Sequence, residues 1–215
     1  MNQSINELEK SNVASSGVGS SSRQPDHEVN PIFIQRWSPR SFTGEEIPDA
    51  VLFSVFEAAR WAPSGGNLQP WRFVYSKKGS ASWEKFLSIL NPNNRRWAEK
   101  AAALILLVSK KTTTRNGEVV PSKSHSFDTG AAWQNLSLQA NYSGWHTHGI
   151  GGFDRQKARI DLKVPDDFEV EAIVAIGKLG DKAALPADLQ ERETPNSRFP
   201  LKELVFEGWF KILNI

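Results

Sequence analysis

Cysteine is absent from this chain of 215 residues. Disulfide bonds, thiolate nucleophiles, iron–sulfur clusters and cysteine-ligated zinc are therefore excluded. The longest apolar run, residues 101–108, is far shorter than the roughly 20 residues that a membrane-spanning helix needs. Neither sign of charge dominates, because 26 Lys and Arg stand against 24 Asp and Glu. Any redox chemistry must come from a bound cofactor, and neither a membrane nor nucleic acid is predicted as a partner.

The start of the chain differs in composition from the rest. Residues 1–29 are rich in serine and contain no aromatic residue, which predicts a disordered arm. Glu7 and Glu9 stand where a targeting segment would be basic, so a cytoplasmic location is expected. Residues 30–215 are predicted to form one α+β domain. Its end, about residues 201–215, carries late aromatic residues and is expected to dock on the body or on a partner subunit.

Hydrophobic periodicity and turn residues divide the domain into helices and strands. Helices are predicted over residues 48–60, 82–90, 97–102 and 127–142. Strands are predicted over residues 71–75, 103–109 and 171–176, and residues 112–126 are predicted to be a loop.

Arg36 and Arg40 are the first candidate ligand-binding residues. With Trp37 and Ser38 between them, they could clamp a phosphate or a carboxylate, because guanidinium presents a planar fork of donors. The spacing alone leaves a solvated arginine pair as an alternative.

The second candidate is a loop of turn-forming residues between two prolines, residues 62–71. Its glycines would allow a flat ligand to approach the backbone, and Asn67 and Gln69 could recognise the edge of a heterocycle. A plain connection between a helix and a strand is the alternative.

The third candidate follows the long helix. The spacing of His146 and His148 is compatible with a metal site, but no third ligand has a diagnostic spacing, and no metal is predicted. The glycine-rich residues 149–152 lack the spacing of a dinucleotide-binding fingerprint. They predict instead a smooth backbone wall with free N–H donors.

Four blocks together resemble the FMN-dependent nitroreductase-like superfamily. They are Arg36-x-Ser38-x-Arg40, residues 62–71, Asp128-x-Gly130-Ala131-Ala132-x-x-Asn135-Leu136, and Arg198-x-Pro200-Leu201. The resemblance covers about residues 31–205. It implies an α+β fold, a nitroreductase-like α/β/α sandwich with a central, mostly antiparallel sheet, in an intertwined homodimer that holds two FMN molecules between its subunits.

The resemblance also implies roles for individual residues. The first block and Arg198 would bind the phosphate and the pyrimidine edge of FMN, and the loop of residues 63–69 would come from the partner subunit. A backbone N–H of Gly151 or Gly152 would point toward the flavin N5. The implied cofactor contacts are Arg36, Trp37, Ser38, Arg40, Pro63, Ser64, Gly65, Asn67, Gln69, Asn94, Gly149, Ile150, Gly151, Gly152 and Arg198.

The implied activity is that of an FMN-dependent oxidoreductase. NADH or NADPH would deliver hydride to FMN, and a small acceptor, a nitroaromatic or a quinone, would then take the electrons in a ping-pong cycle. An FMN-binding protein without such turnover, a dehalogenase and an azoline dehydrogenase share the same blocks and stay open as alternatives. The roles of Trp145, His146 and His148 also stay open.

Overall fold

The structure is a computed structural model that describes residues 23–211. Most of the predicted arm, residues 1–22, and the last four residues of the tail lie outside the described residues. No helix between residues 23 and 211 is long and apolar enough to cross a membrane.

A four-stranded antiparallel sheet lies at the centre, in the order β1-β2-β6-β5. The strands are β1 (Trp71–Lys77), β2 (Ala103–Lys110), β3 (Thr112–Arg115), β4 (Glu118–Pro121), β5 (His146–Ile150) and β6 (Phe168–Gly177). All three strands predicted from the sequence are present. Strand β2 is buried along its whole length except at Lys110, as expected for a strand that is covered on both faces.

Helices cover both faces of the sheet. They are α1 (Pro31–Gln35), α2 (Asp49–Arg60), α3 (Trp83–Ile89), α4 (Pro92–Ala98), α5 (His125–Tyr142), α6 (Arg155–Asp161) and α7 (Ala187–Gln190). On one face α2 and α5 bury Leu52, Val55 and Leu136 against the strands. On the other face α3 and α4 bury Phe86 and Trp97. The predicted α/β/α sandwich is confirmed.

The helix predicted over residues 97–102 is wrong. The chain forms α4 over Pro92–Ala98, and only its end coincides with the prediction. Asn91 caps this helix by accepting a hydrogen bond from the Asn94 N–H at 3.0 Å, and Pro92 occupies the first turn. Asparagine followed by proline is a strong helix start, so the turn-like composition concealed a capped helix.

The loop predicted over residues 112–126 is also wrong. Strands β3 and β4 pair there as a hairpin, and helix α5 already begins at His125. Asn116 and Gly117 form the turn with φ of 51° and 83°. Positive φ at both central residues is required by a type I′ turn, the two-residue turn whose twist matches that of the two strands. Asn-Gly is the favoured sequence for this turn.

The sheet places two candidate segments at opposite edges. The loop of residues 63–69 leads into β1, which is one edge strand. Residues 36–42 run beside β5 and the end of β6, where Phe42 bridges Leu179 and His148 contacts Pro39. Strand β5 is the other edge of the described sheet.

Candidate functional site

Three arginine side chains lie close together at the β5 side of the sheet. Burial lowers the pKa of Arg36 below its ordinary value, and the neighbouring charge of Arg198 lowers it further. The pKa of Arg23 is lowered by burial, then by Arg198 and Arg36. Because like charges repel in a partly buried site, an anion placed among these guanidiniums would relieve the repulsion.

Arg23 connects two of these segments through their backbones. Its Nη1 donates to the carbonyl oxygens of Ile34 at 2.5 Å and Arg36 at 2.9 Å. Its Nε donates to the carbonyl oxygen of Asn196 at 2.9 Å. The sequence places Arg23 in the predicted disordered arm, but here the side chain bridges the segments that carry Arg36 and Arg198.

Arg40 has a different environment from Arg36. Glu193 Oε2 lies 3.7 Å from Arg40 Nη1, and Glu193 Oε1 accepts hydrogen bonds from the Arg40 and Ser41 N–H groups at 2.6 and 2.8 Å. Burial and Arg192 lower the pKa of Arg40, whereas Glu193 raises it. The Arg40 charge therefore has a buried carboxylate partner within the chain.

His148 holds the same segment from the sheet side. Burial lowers the pKa of His148 to about 4, so the ring is neutral at pH 7. Its Nδ1 lies 3.0 Å from the carbonyl oxygen of Pro39, which can only accept, so this nitrogen carries the proton. The ring also packs on Trp97 at a centroid distance of 4.7 Å.

His146 lies on the same side of β5. Burial, Lys178 and Arg36 lower the pKa of His146 to about 4. Its Nδ1 is buried without a hydrogen-bond partner among the described residues. Trp145 is buried, with the Lys178 ammonium 5.0 Å from its ring centroid. Within residues 23–211 no three His, Cys, Asp or Glu side chains are grouped to hold a metal ion.

The glycine-rich segment after β5 forms a close-fitting wall. A Cβ atom on Gly152 would lie 2.5 Å from Asn91 Nδ2 and 2.8 Å from Asn94 Nδ2. Asn94 Nδ2 donates to the Gly152 carbonyl oxygen at 2.9 Å. Around Gly151 no heavy atom beyond its chain neighbours lies within 4 Å of such a Cβ, so this position faces open space in the chain. The structure thus brings Asn94 to the glycine wall, although the two are distant in sequence.

The loop of residues 63–69 has an unusual backbone. Gly66, Asn67 and Gln69 have φ of 58°, 54° and 48°, in the left-handed region that only glycine adopts freely. Ser64 Oγ accepts a hydrogen bond from the Gln69 N–H at 3.0 Å, and Gln69 Nε2 donates to Asn67 Oδ1 at 3.1 Å. Strained backbone that is held in place by such contacts is typical of a binding loop.

Helix α5 fixes this loop to the body. Asp128 is 3% exposed, and its Oδ2 accepts hydrogen bonds from the Gly65 N–H at 3.1 Å and from Ser124 Oγ at 2.9 Å. The sequence block containing Asp128 was identified, but the contact with Gly65 was not. Glu193 and Arg23 gave no sequence signal, because each joins separate segments. Ser41 lies 152 residues from Glu193, and Arg23 connects residues 11 and 13 positions away to Asn196, which is 173 positions away.

The site residues predicted from the sequence therefore form two groups. Arg36, Ser38 and Arg198 lie together at the β5 side, where Arg36 Nη1 is 3.4 Å from Ser38 Oγ. Asn94 and the glycine wall follow β5 at its end. The loop of residues 63–69 lies at the β1 edge, so one chain does not bring it to the arginines.

Comparison with known proteins places the chain among oxidoreductases. The sequence profile of the nitroreductase family matches residues 34–178. A solved structure described as an oxidoreductase containing FMN is 47% identical, covers 90% of this chain and 98% of its own, and superposes with a TM-score of 0.87.

Two further relatives carry more specific names. A Streptomyces coelicolor protein, provisionally named NADH dehydrogenase/NAD(P)H nitroreductase, is 30% identical over 73% of this chain and 84% of its own length. A Desulfovibrio desulfuricans structure, provisionally named a nitroreductase and solved in complex with FMN, is 25% identical. It covers 86% of this chain and all of its own, with a TM-score of 0.66. The chain therefore belongs to the nitroreductase family, the assignment that its four sequence blocks predicted.

Proposed function

We propose that the chain is an FMN-dependent oxidoreductase that takes hydride from NADH or NADPH and reduces a small acceptor, a nitroaromatic or a quinone, in a ping-pong cycle. The observation that carries this proposal is the group of Arg23, Arg36 and Arg198, whose mutual repulsion an anion would relieve. The FMN in the 47% identical structure and in the Desulfovibrio complex supports the same cofactor.

The residues present fit FMN on two counts. Arg36 and Arg198 would bind its phosphate, because guanidinium groups bind phosphate oxygens with paired, charge-assisted hydrogen bonds. Gly151 faces open space, since a Cβ there would meet no atom within 4 Å, so a flat ring has room to approach the backbone. Trp37, only 8% exposed, fixes the position of the arginine segment.

FMN, when bound, would supply reversible two-electron chemistry with hydride transfer at N5. The protein's part would be electrostatic, since the site offers backbone donors and guanidinium charge rather than an acid or a base. The N–H of Gly151 or Gly152 is the proposed donor to the flavin N5, and Asn94 is the proposed contact at the edge of the ring. The open space at Gly151 would leave the reacting face accessible to NAD(P)H and then to the acceptor.

The proposed active unit is a homodimer. The loop of residues 63–69 and the arginine segment lie at opposite edges of the sheet and at opposite ends of its strands. The two edges alone are three strand spacings, or about 14 Å, apart. A loop from a second copy would complete the site without moving either element. The exposed face of α5 suits an interface, because it carries Phe127 and Tyr142, which are 82% and 74% exposed, with Leu138 between them.

Anaerobic reduction tests the activity. The purified protein is expected to be yellow, NADH or NADPH should bleach the flavin absorbance in one step, and a quinone added afterwards should restore it. A yellow protein that neither nucleotide bleaches would support an FMN-binding protein without turnover. A colourless protein that cannot be reconstituted with FMN would overturn the proposal.

A further inference from the structure

Residues 23–26 run between two segments that carry site arginines. Arg23 donates to Ile34 and Arg36 carbonyl oxygens on one side and to the Asn196 carbonyl oxygen on the other. Asp26 Oδ2 accepts a hydrogen bond from the Leu201 N–H at 2.7 Å. The segment is thus joined to the chain ahead of Arg36 and to both sides of Arg198.

Arg198 lacks comparable support from its own segment. Its Nη1 donates to the carbonyl oxygens of Ser197 and Asn196, one and two residues before it in the chain, at 2.8 and 3.4 Å. Residues 191–200 contain no helix or strand. A cavity of about 440 Å³ separates the early and late segments, and its lining includes Arg23, Asp26, Arg198 and Leu201. The contacts of Arg23 and Asp26 therefore decide where Arg198 stands relative to Arg36.

We propose that residues 23–26 act as a clasp that sets the distance between Arg36 and Arg198 and so builds the dianion site for the FMN phosphate. This inference rests on the proposed FMN binding. Arg23 and Asp26 are positioning residues, because they act through backbone groups of the segments that would contact the phosphate. Holding Arg23, Arg36 and Arg198 near one another costs electrostatic energy, and the three carbonyl contacts of Arg23 offset this cost in the absence of the anion.

The charge of Asp26 and its contact with Leu201 have opposite expected effects on FMN affinity. Removing its carboxylate makes the surroundings of Arg198 more positive, which by itself would tighten anion binding. Removing its contact with Leu201 would release one side of the Arg198 segment and weaken binding. Asp26→Ala removes both the charge and the contact, whereas Asp26→Asn removes the charge and keeps an oxygen that can accept from Leu201.

Arg23 allows the matching comparison. Arg23→Lys keeps the positive charge but loses the planar fork that reaches carbonyl oxygens in two segments. Arg23→Ala loses both. Glu28→Ala, a change at an exposed position outside the clasp and outside the lining of the cavity, is the control.

The experiment measures the Kd of the full-length apoprotein for FMN and for riboflavin, which lacks the phosphate, by flavin fluorescence. Arg23→Ala, Arg23→Lys and Asp26→Ala should raise the Kd for FMN about tenfold or more, as expected for disturbed hydrogen bonds to a charged group. The Kd for riboflavin should change less than about threefold, since the ring contacts are untouched. Asp26→Asn should bind FMN at least as tightly as the unaltered protein does, because it removes the charge and keeps the contact with Leu201. Glu28→Ala should bind FMN as the unaltered protein does.

Three outcomes would overturn the clasp while leaving FMN binding intact: unchanged affinity in Arg23→Ala, an equal loss for FMN and riboflavin, or full retention of affinity in Arg23→Lys. If the unaltered protein binds no FMN, the proposed function fails first. The clasp is then tested by measuring how much inorganic phosphate raises the thermal unfolding midpoint of the unaltered protein and of Arg23→Ala. Stabilisation that disappears in Arg23→Ala supports the clasp, and its absence in the unaltered protein overturns it.

Discussion

The buried carboxylate of Asp128 accepts a hydrogen bond from the backbone N–H of Gly65 at 3.1 Å. This bond ties a loop with three residues in the left-handed region to the first turn of helix α5. The carboxylate also accepts from Ser124 Oγ, so one acidic group satisfies donors from two segments. The shape of the loop therefore depends on a residue 63 positions further along the chain.

Asp128→Ala should release the loop. It removes the charged acceptor shared by the Gly65 N–H and Ser124 Oγ, which costs about 1–3 kcal/mol of unfolding free energy. The midpoint of urea unfolding measures this loss. Asp166→Asn, a change at a fully exposed aspartate, is the control and should stay within about 0.5 kcal/mol of the unaltered protein. Equal stability of the two variants would contradict a structural role for the Asp128–Gly65 bond.

Gly152→Ala should disturb the wall beside Asn94. The added Cβ would lie 2.5 Å from Asn91 Nδ2 and 2.8 Å from Asn94 Nδ2, so one amide must move and a helix cap or a hydrogen bond is lost. The expected cost is about 1–3 kcal/mol in apoprotein stability. Gly151→Ala meets no atom within 4 Å and should leave the same thermal midpoint within a degree or two. Equal thermal midpoints for Gly152→Ala and Gly151→Ala would contradict the close packing at Gly152.

Acid should destabilise the protein through His146 and His148. Burial lowers the pKa of each imidazole to about 4 from its ordinary value of 6.5. As the pH falls, the histidines of the unfolded state therefore bind protons before those of the folded state. The free energy of unfolding falls between pH 6.5 and pH 4, by up to about 3 kcal/mol for each ring. Urea unfolding at a series of pH values measures the slope. His146→Leu should reduce the slope, and an unchanged slope would exclude His146 as its source.

The exposed face of α5 should carry the dimer contact. Leu138→Glu places a charge at the middle of this face and should shift the protein from dimer to monomer in sedimentation velocity at micromolar concentration. Ile160→Glu, at an apolar position of α6 that is 65% exposed, is the matched control and should remain dimeric. A dimer that survives Leu138→Glu would place the interface elsewhere.

The sequence predicted local structure best. The helix at Asp49–Arg60 and the buried strand β2 follow directly from periodicity and hydrophobicity. The hairpin was missed although Asn116-Gly117 is a strong turn signal, because this pair, Pro121 and the nearby serines and lysines were together interpreted as a loop. Helix α4 was misplaced since its cap, Asn91, resembles a turn residue.

The candidate site was predictable in part. Arg36, Ser38 and Arg198 come from recognisable blocks, and the structure places them together. The groups that hold them were not predictable. Glu193 and Arg23 act through contacts with backbone atoms of other segments, up to 153 and 173 residues away along the chain, and no local pattern marks such a residue.

The central claim is that the site binds the phosphate of FMN. The most direct test compares the Kd of the apoprotein for FMN with its Kd for riboflavin. If Arg36 and Arg198 bind the phosphate, FMN should bind at least about a hundredfold more tightly than riboflavin, since each charged hydrogen bond contributes about 1.5–3 kcal/mol. Arg36→Gln and Arg198→Gln should each remove most of this preference. Equal affinity for FMN and riboflavin in the unaltered protein would contradict the account.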